Sequence, residues 1–506
     1  MLELLGAALV NVAQAKYLLP LFFGTLAGVV GGALPGVTIT MTIIVVLPFT
    51  FGLDPLQGLA AMTGVYVGGS AGGLVTAVLL GIPGTPSAIA TTFDGHPMAK
   101  KGEPGRAIWL GVWASFFGGL LGGAFLIFAT GPLARIALQF GPWEFFSLFV
   151  LALSMVAGLV ESSLAKGLVA GGLGLIVTVL GNDPVMGQKR LTLGIPMLEG
   201  GVDFLPVLIG VFAFAQIMTE VERMGGGSKA IEAVDRHVQL AVSQIKVIWE
   251  ILSRPVLLFW SSFIGVLIGV LPAIGGSAAS MFAYDQAKKL SRQPQKFGSG
   301  VPEGIIASES SNNANVGGSL VTIMAFGIPG DAVTAVMLGA LTIHGIQSGP
   351  LFIQQNATLA YGIFAAYLIA HPLMVLIIGL SARFMLRIVS VPKAALFPVV
   401  LVLCVIGAYA LNNTMSNVYV LLAFGLVGYA MVKFGFPLAP FILGVILGDQ
   451  IEINLIRAVM TDSDPWLFLT RPISGSMLVL SVASLSFSVW QHYRHRAKLV
   501  EVDADF

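Results

Sequence analysis

Long uncharged apolar segments occur throughout this chain, and they constrain its fold more than any other feature. Four examples are residues 17–53, 108–130, 256–281 and 357–380. Each exceeds the length of about 18 residues at which an apolar helix can span the hydrocarbon of a bilayer. Only 10% of the residues are charged, whereas soluble domains have about 25%, so the chain could not cover a water-facing surface. The sequence therefore predicts an all-α polytopic membrane protein.

Two sequence patterns occur twice, and a repeated pattern indicates an internal structural repeat. The segment GGALPGVTITM (31–41) resembles IGVLPAIGGSA (268–278). Likewise, GGLVTAVLLGIPG (72–84) resembles GSLVTIMAFGIPG (318–330), at an offset of 246 residues. We expect an organisation in four parts, which are a first transmembrane repeat at 17–220, a cytoplasmic linker at 221–247, a second transmembrane repeat at 248–452, and a C-terminal span with a cytoplasmic tail at 453–506.

Basic residues orient the two halves, because short cytoplasmic loops accumulate Lys and Arg. In the first half the loop after GIPG is basic at residues 100–106, and the loop after the LPG element is not. In the second half the order is reversed, since the basic residues at 288–296 follow the LPA element. The pattern predicts two inverted-topology repeats with about 11–12 transmembrane segments, the N-terminus outside and the C-terminus inside. Lys189 and Arg190 do not fit, because they fall in a loop that this scheme places outside.

Each half contains two breaks of the same kind, first LPG or LPA and later GIPG. Proline removes a helix hydrogen bond, and glycine adopts backbone angles that other residues resist. Within hydrocarbon, such breaks persist only where protein or a wet cavity satisfies the freed backbone groups. Discontinuous helices in paired repeats form the substrate and ion sites of secondary transporters. We therefore expect re-entrant hairpins whose helix N-termini attract anionic groups.

The most polar stretch of the second half is SESSNNAN, at residues 308–315. At the 246-residue offset, the first half has TGVYVGG (63–69) opposite the segment from Glu309 to Asn315. A packing requirement shared by both halves would not need this difference. Asparagine can serve a carboxylate or a hard cation, and a membrane-embedded glutamate is a functional candidate. The alternative is a water-exposed loop after Pro302.

The breaks contain no Arg or Lys, so an anionic substrate at mid-membrane would lack a fixed positive partner. A bare charge there costs several kcal/mol, and each helix dipole supplies only about half a charge. We therefore expect co-bound cations, with sodium as the coupling ion and no other cofactor. Substrate binding is assigned to backbone and side-chain groups at the breaks and on the polar run, namely Gly81, Pro83, Gly84, Thr85, Ser87, Asn312, Asn313, Gly327, Pro329 and Gly330. Sodium binding is assigned to Thr38, Gly72, Gly73, Gly275, Ser277, Ser311 and Asn315, and Glu309 is a further candidate.

Together, the motifs GALPGVT (32–38), GGLVTAVLLGIPGTPSA (72–88), SESSNNANVGG (308–318) and GIPG (327–330) resemble the large permease subunit of the tripartite tricarboxylate transporters. The resemblance covers nearly the whole chain, but this family usually has proline before the glutamate and alanine after it, where this chain has serines. It implies a bacterial inner-membrane carrier with a periplasmic N-terminus that imports di- or tricarboxylates such as citrate by sodium symport. It also implies two partners, a small four-span membrane subunit and a periplasmic substrate-binding protein.

Other functions are alternatives at this point. A proton-coupled organic-anion carrier and an anion channel are both compatible with glycine-rich breaks. An intramembrane aspartyl protease is disfavoured, because Asp285 adjoins a basic loop and Ile446 occupies a position where that motif needs glycine. No phosphate loop of the GxxxxGK[ST] type occurs, and a net charge of +1 gives no reason to expect a nucleic-acid partner. The chain is therefore predicted to be a transporter and not an enzyme, and the exact carboxylate and an elevator or a rocking motion are left open.

Overall fold

Helices dominate the computed structural model, which describes residues 1–158, 163–183, 187–225, 241–389 and 391–504. Most of the predicted linker lies outside the described residues. In chain order, the α-helices are α1 Leu2–Val12, α2 Ala15–Ala33, α3 Ile39–Val46, α4 Pro55–Leu80, α5 Ile89–Lys100, α6 Pro104–Ala137, α7 Pro142–Gly158, α8 Leu164–Thr178, α9 Phe204–Ile209, α10 Ala215–Gly225, α11 Gln244–Leu252, α12 Pro255–Val270, α13 Gly275–Leu290, α14 Pro302–Phe326, α15 Ala332–Ile343, α16 Phe352–Gln355, α17 Ala357–Val389, α18 Lys393–Asn412, α19 Met415–Lys433, α20 Leu438–Thr461, α21 Leu467–Thr470 and α22 Pro472–Ala504. Two short strands, β1 Gly181–Asn182 and β2 Lys189–Arg190, pair antiparallel with Gly181 opposite Arg190.

The predicted membrane class is confirmed by the length and hydropathy of the helices. Within the described ranges, nine helices can cross a membrane by these criteria, and the pair α11 and α12, bent by 78°, makes a tenth. Five further apolar helices are shorter, at 10–17 residues. The fold is thus an all-α polytopic membrane protein, while the figure of 11–12 crossings and the inverted topology stay predictions.

The chain forms two compact units, and both are discontinuous in sequence. Unit 1 consists of Met1–Arg135 and Gln216–Thr414, and unit 2 consists of Ile136–Ala215 and Met415–Phe506. Each unit therefore takes one segment from either half of the chain. Because a compact unit does not coincide with one predicted repeat, the repeat boundaries stay a prediction from the sequence.

Glycines allow two helix pairs of unit 1 to approach until their backbones touch. A Cβ atom on Gly28 or Gly32 of α2 would overlap the carbonyl oxygen of Val65 or Gly69 in α4. In the second half, a Cβ on Gly265 or Gly269 of α12 would overlap the carbonyl oxygen of Ser311 or Asn315 in α14. Small residues commonly create such close helix contacts in membranes. The contact positions in the two pairs are those that the predicted repeat matches.

Prolines and glycines define the ends of the broken helices. Helices α4 and α14 both begin with proline as the first helical residue. They end at Gly81 and Gly327, whose φ angles are +67° and +73°. These left-handed conformations favour glycine, which explains why both helices stop at the first residue of GIPG.

In unit 2, Lys189 and Arg190 have acidic partners. The Lys189 ammonium lies 2.6 Å from a carboxylate oxygen of Glu199. The Arg190 guanidinium contacts Glu452 at 2.5 Å and Asp183 at 3.5 Å. The hydrogen bonds to Glu452 raise the pKa of Arg190 above its usual value. Because the orientation rule counts Lys and Arg and not net charge, both residues stay exceptions to the predicted topology.

Candidate functional site

In unit 1, the two breaks of each half lie against each other. A Cβ on Gly84 would overlap the carbonyl oxygen of Gly32, in the last turn of α2 before the LPG break. A Cβ on Gly330 would likewise lie against the carbonyl oxygen of Gly269, at the end of α12 before the LPA break. The breaks at Pro35 and Pro83 are therefore neighbours, as are those at Pro272 and Pro329.

Contacts also link the breaks of one half with helices of the other. The Ser280 hydroxyl of α13 donates to the carbonyl of Ser87 at 2.8 Å. A Cβ on Gly276 would meet Oδ1 of Asn312 and the side chain of Ser87. Helix α15, which follows the second GIPG, packs against α3 and α4. The interrupted segments of unit 1 thus surround α4 and α14, as the sequence predicts for a binding site.

The polar run of α14 is a buried helix and not a water-exposed loop, so that alternative is wrong. All residues from Ser308 to Asn315 belong to α14 and have no more than 1% of their surface exposed. The loop interpretation relied on polarity alone. The structure instead buries the run by packing α14 against α12, α13, α5 and α4.

Three predicted site residues on α14 have different hydrogen-bonding states. The side-chain amide of Asn312 donates to the carbonyl of Ser70 in α4 at 2.7 Å. Both amide atoms of Asn313 and the Oδ1 atom of Asn315 are buried without a partner among the described residues, and so is the hydroxyl of Ser319. An unpaired buried polar group costs about 1–3 kcal/mol, so such groups need a structural or functional reason. These groups are available to a ligand, an ion or water.

The remaining predicted substrate residues lie at the two GIPG breaks. Thr85 and Ser87 are buried, and their hydroxyl oxygens are 3.1 Å apart. The Gly84 amide makes only a long contact, 3.4 Å, with the carbonyl of Gly73. Gly81 and Gly327 end their helices and contact His96 and Ser348 respectively. The roles assigned to Pro83, Pro329 and Gly330 stay predictions.

The predicted sodium ligands are more scattered. Three of them lie near the breaks: Gly73 contacts Thr85, Gly275 contacts the Asp331 side chain, and the Ser277 carbonyl accepts from Ser280 at 3.0 Å. The other side chains already have local roles. Thr38 caps α3 by accepting from the Met41 amide, Gly72 packs on Val29, and the Ser311 hydroxyl donates to the Ala279 carbonyl.

Two polar pairs near the breaks were not predicted. The Tyr66 hydroxyl of α4 donates to Asp331, the residue that follows the second GIPG and caps α15. The Lys393 ammonium lies beside Gly36 in the LPG break and pairs with Glu220 at 2.7 Å. The sequence signal for Asp331 was its place in GIPGD, where the first half has Thr85. No sequence signal connects Lys393 with Gly36, which are far apart along the chain.

The charges at the breaks do not provide an uncompensated cation. Glu220 balances Lys393, and no described basic group pairs with Asp331. Among the described residues, no three His, Cys, Asp or Glu side chains form a metal-ligand cluster. A cation at the breaks would therefore depend mainly on hydroxyl, amide and carbonyl oxygens, which are ligands that hard cations accept.

Comparisons with known proteins agree over most of the chain. A family model described as "Tripartite tricarboxylate transporter TctA family" matches residues 18–443. An Agrobacterium vitis protein named "Uncharacterized 52.8 kDa protein in TAR-I ttuC' 3'region" is 33% identical over 491 residues, which is 96% of this chain and 95% of that protein. A second, named "Uncharacterized protein in TAR-II ttuC' 3'region", is 34% identical over 48% of this chain and its own full length. No solved structure matches significantly.

Proposed function

The chain belongs to the tripartite tricarboxylate transporter TctA family, and from this premise we propose that it is the permease subunit of a sodium-coupled carrier for di- or tricarboxylates such as citrate. Membership makes it a component of a tricarboxylate transporter, not an enzyme. The proposal adds the coupling ion and the import direction. It also places the chain in a bacterial inner membrane, with the N-terminus in the periplasm and the C-terminus in the cytoplasm.

Two partners belong to this proposal. A periplasmic binding protein would deliver the carboxylate, and a small membrane subunit with about four spans would accompany the permease, as the resemblance implies. The described residues of the permease are mostly helical and form two compact units. Its compact units consist of helices with many apolar, exposed side chains, as expected for lipid contact.

The observation that carries the proposal is the buried polar face of α14 at the breaks. Asn313 and Asn315 present amide groups that no described residue satisfies. An amide supplies donors for a carboxylate and an acceptor for a cation. Without a ligand, the unpaired donors and acceptors destabilise the protein. A carboxylate with its cation would pair with both.

Sodium coupling follows from the charges around this face. Asp331 is a carboxyl group whose described partners are hydroxyls and amides only, while Lys393 is compensated by Glu220. A di- or tricarboxylate would add further negative charge in a region of low dielectric. Since bare charge is expensive there, cations must accompany the substrate.

A transport assay tests the coupling ion directly. The permease is reconstituted with its two partners in liposomes, and uptake of labelled citrate is compared in sodium chloride and in choline chloride. We expect uptake to depend on an inward sodium gradient. Unchanged uptake in choline would contradict sodium coupling, whereas single-channel currents without saturable counterflow would favour a channel.

A paired substitution tests the site. Asn312→Ala combined with Asn313→Ala removes two amides from α14 and should strongly weaken the apparent affinity for citrate. Gly131→Ala is a suitable control, because a Cβ there meets nothing within 4 Å. If the double variant transports with unaltered affinity, these asparagines do not bind substrate.

A further inference from the structure

Glu309 is a buried carboxylate between three helices of unit 1. It lies on α14, and its two oxygens accept hydrogen bonds from Thr91 of α5 and from Ser115 of α6, the latter at 2.9 Å. The Ser308 hydroxyl lies 3.1 Å from the Thr91 hydroxyl. All four side chains are 0% exposed. Asn313, whose amide atoms are unpaired, lies one turn further along the same face of α14.

The cluster contains no positive group that would compensate the negative charge of an ionised Glu309. Within the described parts of the chain, no Lys, Arg or His forms an ion pair with Glu309, and its hydrogen-bond donors are two neutral hydroxyls. An ionised carboxylate has about four acceptor positions, so two donors leave it incompletely solvated. A buried charge without an ionic partner costs several kcal/mol or more. Glu309 therefore needs a bound cation or a bound proton.

The geometry favours a proton. The carboxylate oxygens are in direct hydrogen-bond contact with the hydroxyl oxygens of Thr91 and Ser115. A hard cation such as Ca²⁺ takes 6–8 oxygen ligands at about 2.3–2.6 Å, whereas the described side-chain partners of the Glu309 carboxylate are only two hydroxyls. On the α6 side, a Cβ on Gly111 would meet the Glu309 side chain and Leu74 at 3.4 Å. On this side, the glycine and the leucine offer no further side-chain oxygen to an ion.

Other ionisable groups on the neighbouring helices have other partners, except the Nε2 atom of His371, which is buried without a partner among the described residues. On α5, Asp94 accepts from Tyr284 of α13 and from loop amides, and His96 contacts the Val78 carbonyl. Arg106 of α6 pairs with Glu250 and Glu103, and Tyr66 of α4 donates to Asp331. On α17, Tyr367 donates to the Gly119 carbonyl, and Nδ1 of His371 contacts the Tyr367 carbonyl. None of them supplies a positive charge to Glu309. The nearby environment is therefore neutral hydroxyls and apolar side chains.

We propose that Glu309 is a proton-binding site of this carrier, which is loaded and unloaded during transport. In the loaded form, the carboxylic acid O–H donates to the hydroxyl oxygen of Thr91 or Ser115. When the proton leaves to water, the electron pair of the broken O–H bond stays on the carboxylate, which then accepts the O–H of both hydroxyls. The charge of the cluster changes by one, while its hydrogen-bond partners can stay the same.

The position of Thr91 connects this site with the first GIPG break. Thr91 lies on α5, which begins just after Ser87, and Ser87 contacts α13 through Ser280. Loss of the proton would place an uncompensated charge between α5 and α14. That charge favours a rearrangement that admits water. The protonation state of Glu309 would therefore be coupled to the position of the segment before α5, which contains Thr85 and Ser87. This coupling rests on the proposed carrier function.

Only the second half carries this group. At the 246-residue offset, Thr63 of α4 takes the place of Glu309, and its hydroxyl donates to the Leu59 carbonyl at 2.7 Å within its own helix. Of the two predicted repeats, only the second therefore has the proposed proton site.

Infrared spectroscopy of the purified full chain tests the proton site without any substrate. We expect a carboxylic-acid C=O band at neutral pH that disappears at alkaline pH and is absent from Glu309→Gln. The matched control is Glu303→Gln, on the same helix, where the carboxylate pairs with Arg254 at 2.8 Å. Its spectrum should keep the band. The proposal is overturned if Glu309→Gln retains the band, or if the wild type has no such band at neutral pH.

A second variant keeps the test valid if Glu309→Gln does not fold. Thr91→Val removes one of the two donors to the carboxylate, so the ionised form becomes less favourable. The acid band should then persist to higher pH than in the wild type. A band that titrates at the same or a lower pH would contradict the proposed hydrogen bonding.

A transport measurement then tests the coupling. With citrate as the probe, proteoliposomes containing the complete complex should acidify internally during uptake, as followed by an enclosed pH dye. Glu309→Gln should lose this acidification, and Glu303→Gln should keep it. Persistent acidification in Glu309→Gln overturns the proposal, whereas failure of the wild type to take up citrate, with the acid band intact, refutes only the choice of substrate.

Discussion

Helices α4 and α14 have the same backbone role but different side-chain chemistry. Both are buried, begin with proline and end at a left-handed glycine. Both accept glycine contacts from the helix that precedes the first break of their half. In α4, the hydroxyls of Thr63 and Ser70 donate to carbonyls four residues earlier, at 2.7 and 2.9 Å. In α14, Asn313 and Asn315 have unsatisfied atoms.

This difference indicates that α4 has a structural role, whereas α14 also carries groups for binding. The hydroxyls of Thr63 and Ser70 are satisfied within α4, and that of Tyr66 by Asp331, so α4 needs no ligand to satisfy them. The unsatisfied amide atoms destabilise α14. Proteins keep such destabilising groups when they have a function. A repeated backbone can therefore bind an asymmetric solute, because only one copy carries the polar residues.

The largest effect is expected where the two copies are alike. Gly32→Val and Gly269→Val both drive a side chain into a helix backbone, at Gly69 and Asn315 respectively. Because backbone cannot yield as a side chain can, we expect each to cost about 3 kcal/mol or more. Size-exclusion chromatography of the purified variants should show little monodisperse protein.

The control for these variants is Gly131→Val in α6, where nothing lies within 4 Å. It should purify like the wild type. If only one of the two glycine variants loses its monodisperse protein, the close packing of α2 with α4 is not equivalent to that of α12 with α14. The backbone roles of α4 and α14 would then differ.

An intermediate effect is expected where one half has a carboxylate and the other does not. Asp94 of α5 accepts the amides of Gly298, Gly300 and Val301 at 2.7–3.0 Å, and the Tyr284 hydroxyl at 2.9 Å. Asp94→Asn removes the charge and can turn a donor toward these amides. We expect the free energy of unfolding to fall by about 2–3 kcal/mol.

Thermal unfolding in detergent measures this loss. Asp285→Asn is the matched control, because Asp285 pairs with Lys289 at an exposed position of α13 and such pairs contribute little. The offset of 246 residues places Ala340 opposite Asp94. Equal stability of the two Asp variants would show that the carboxylate of Asp94 does not hold the loop before α14.

The smallest effect on stability is expected when α14 is made to resemble α4. Asn313 corresponds to Val67, so Asn313→Val replaces an unpaired amide with an apolar side chain. We expect the unliganded protein to gain about 1 kcal/mol of stability and citrate transport to fall sharply. The measurements are thermal unfolding and labelled uptake by the complete complex.

The reciprocal variant sharpens this prediction. Val67→Asn introduces an amide into the fully buried Val67 position of α4 and should destabilise the protein. If Asn313→Val is as destabilising as Val67→Asn, then Asn313 has a structural partner, and α14 does not differ from α4 in the proposed way.

The sequence predicts the local features of this fold well. The apolar runs correctly indicate a polytopic helical protein, and both GIPG segments are helix breaks. Proline and glycine act on the residues next to them, so their effects can be derived from position alone. Within each half, the contacts of Gly84 and Gly330 place the two breaks side by side.

Long-range partners could not be predicted in the same way. Asp94 with the loop before α14, Tyr66 with Asp331, and Lys393 with Glu220 each connect segments from distant parts of the sequence. Charge and polarity indicate that a buried group needs a partner, but they do not identify it. The roles of the individual predicted substrate and sodium residues therefore stay predictions.

The discontinuous compact units have a consequence for biosynthesis. Helices α7–α9 leave the ribosome before residues 216–414 are made, yet their unit is completed only by the segment from Met415 onward. Until then, surfaces that become interior face lipid or the insertion machinery. Late, nonlocal assembly of this kind is slow and exposes intermediates to misfolding. We therefore expect chains truncated before Met415 to be degraded, even though most of their helices have already entered the membrane.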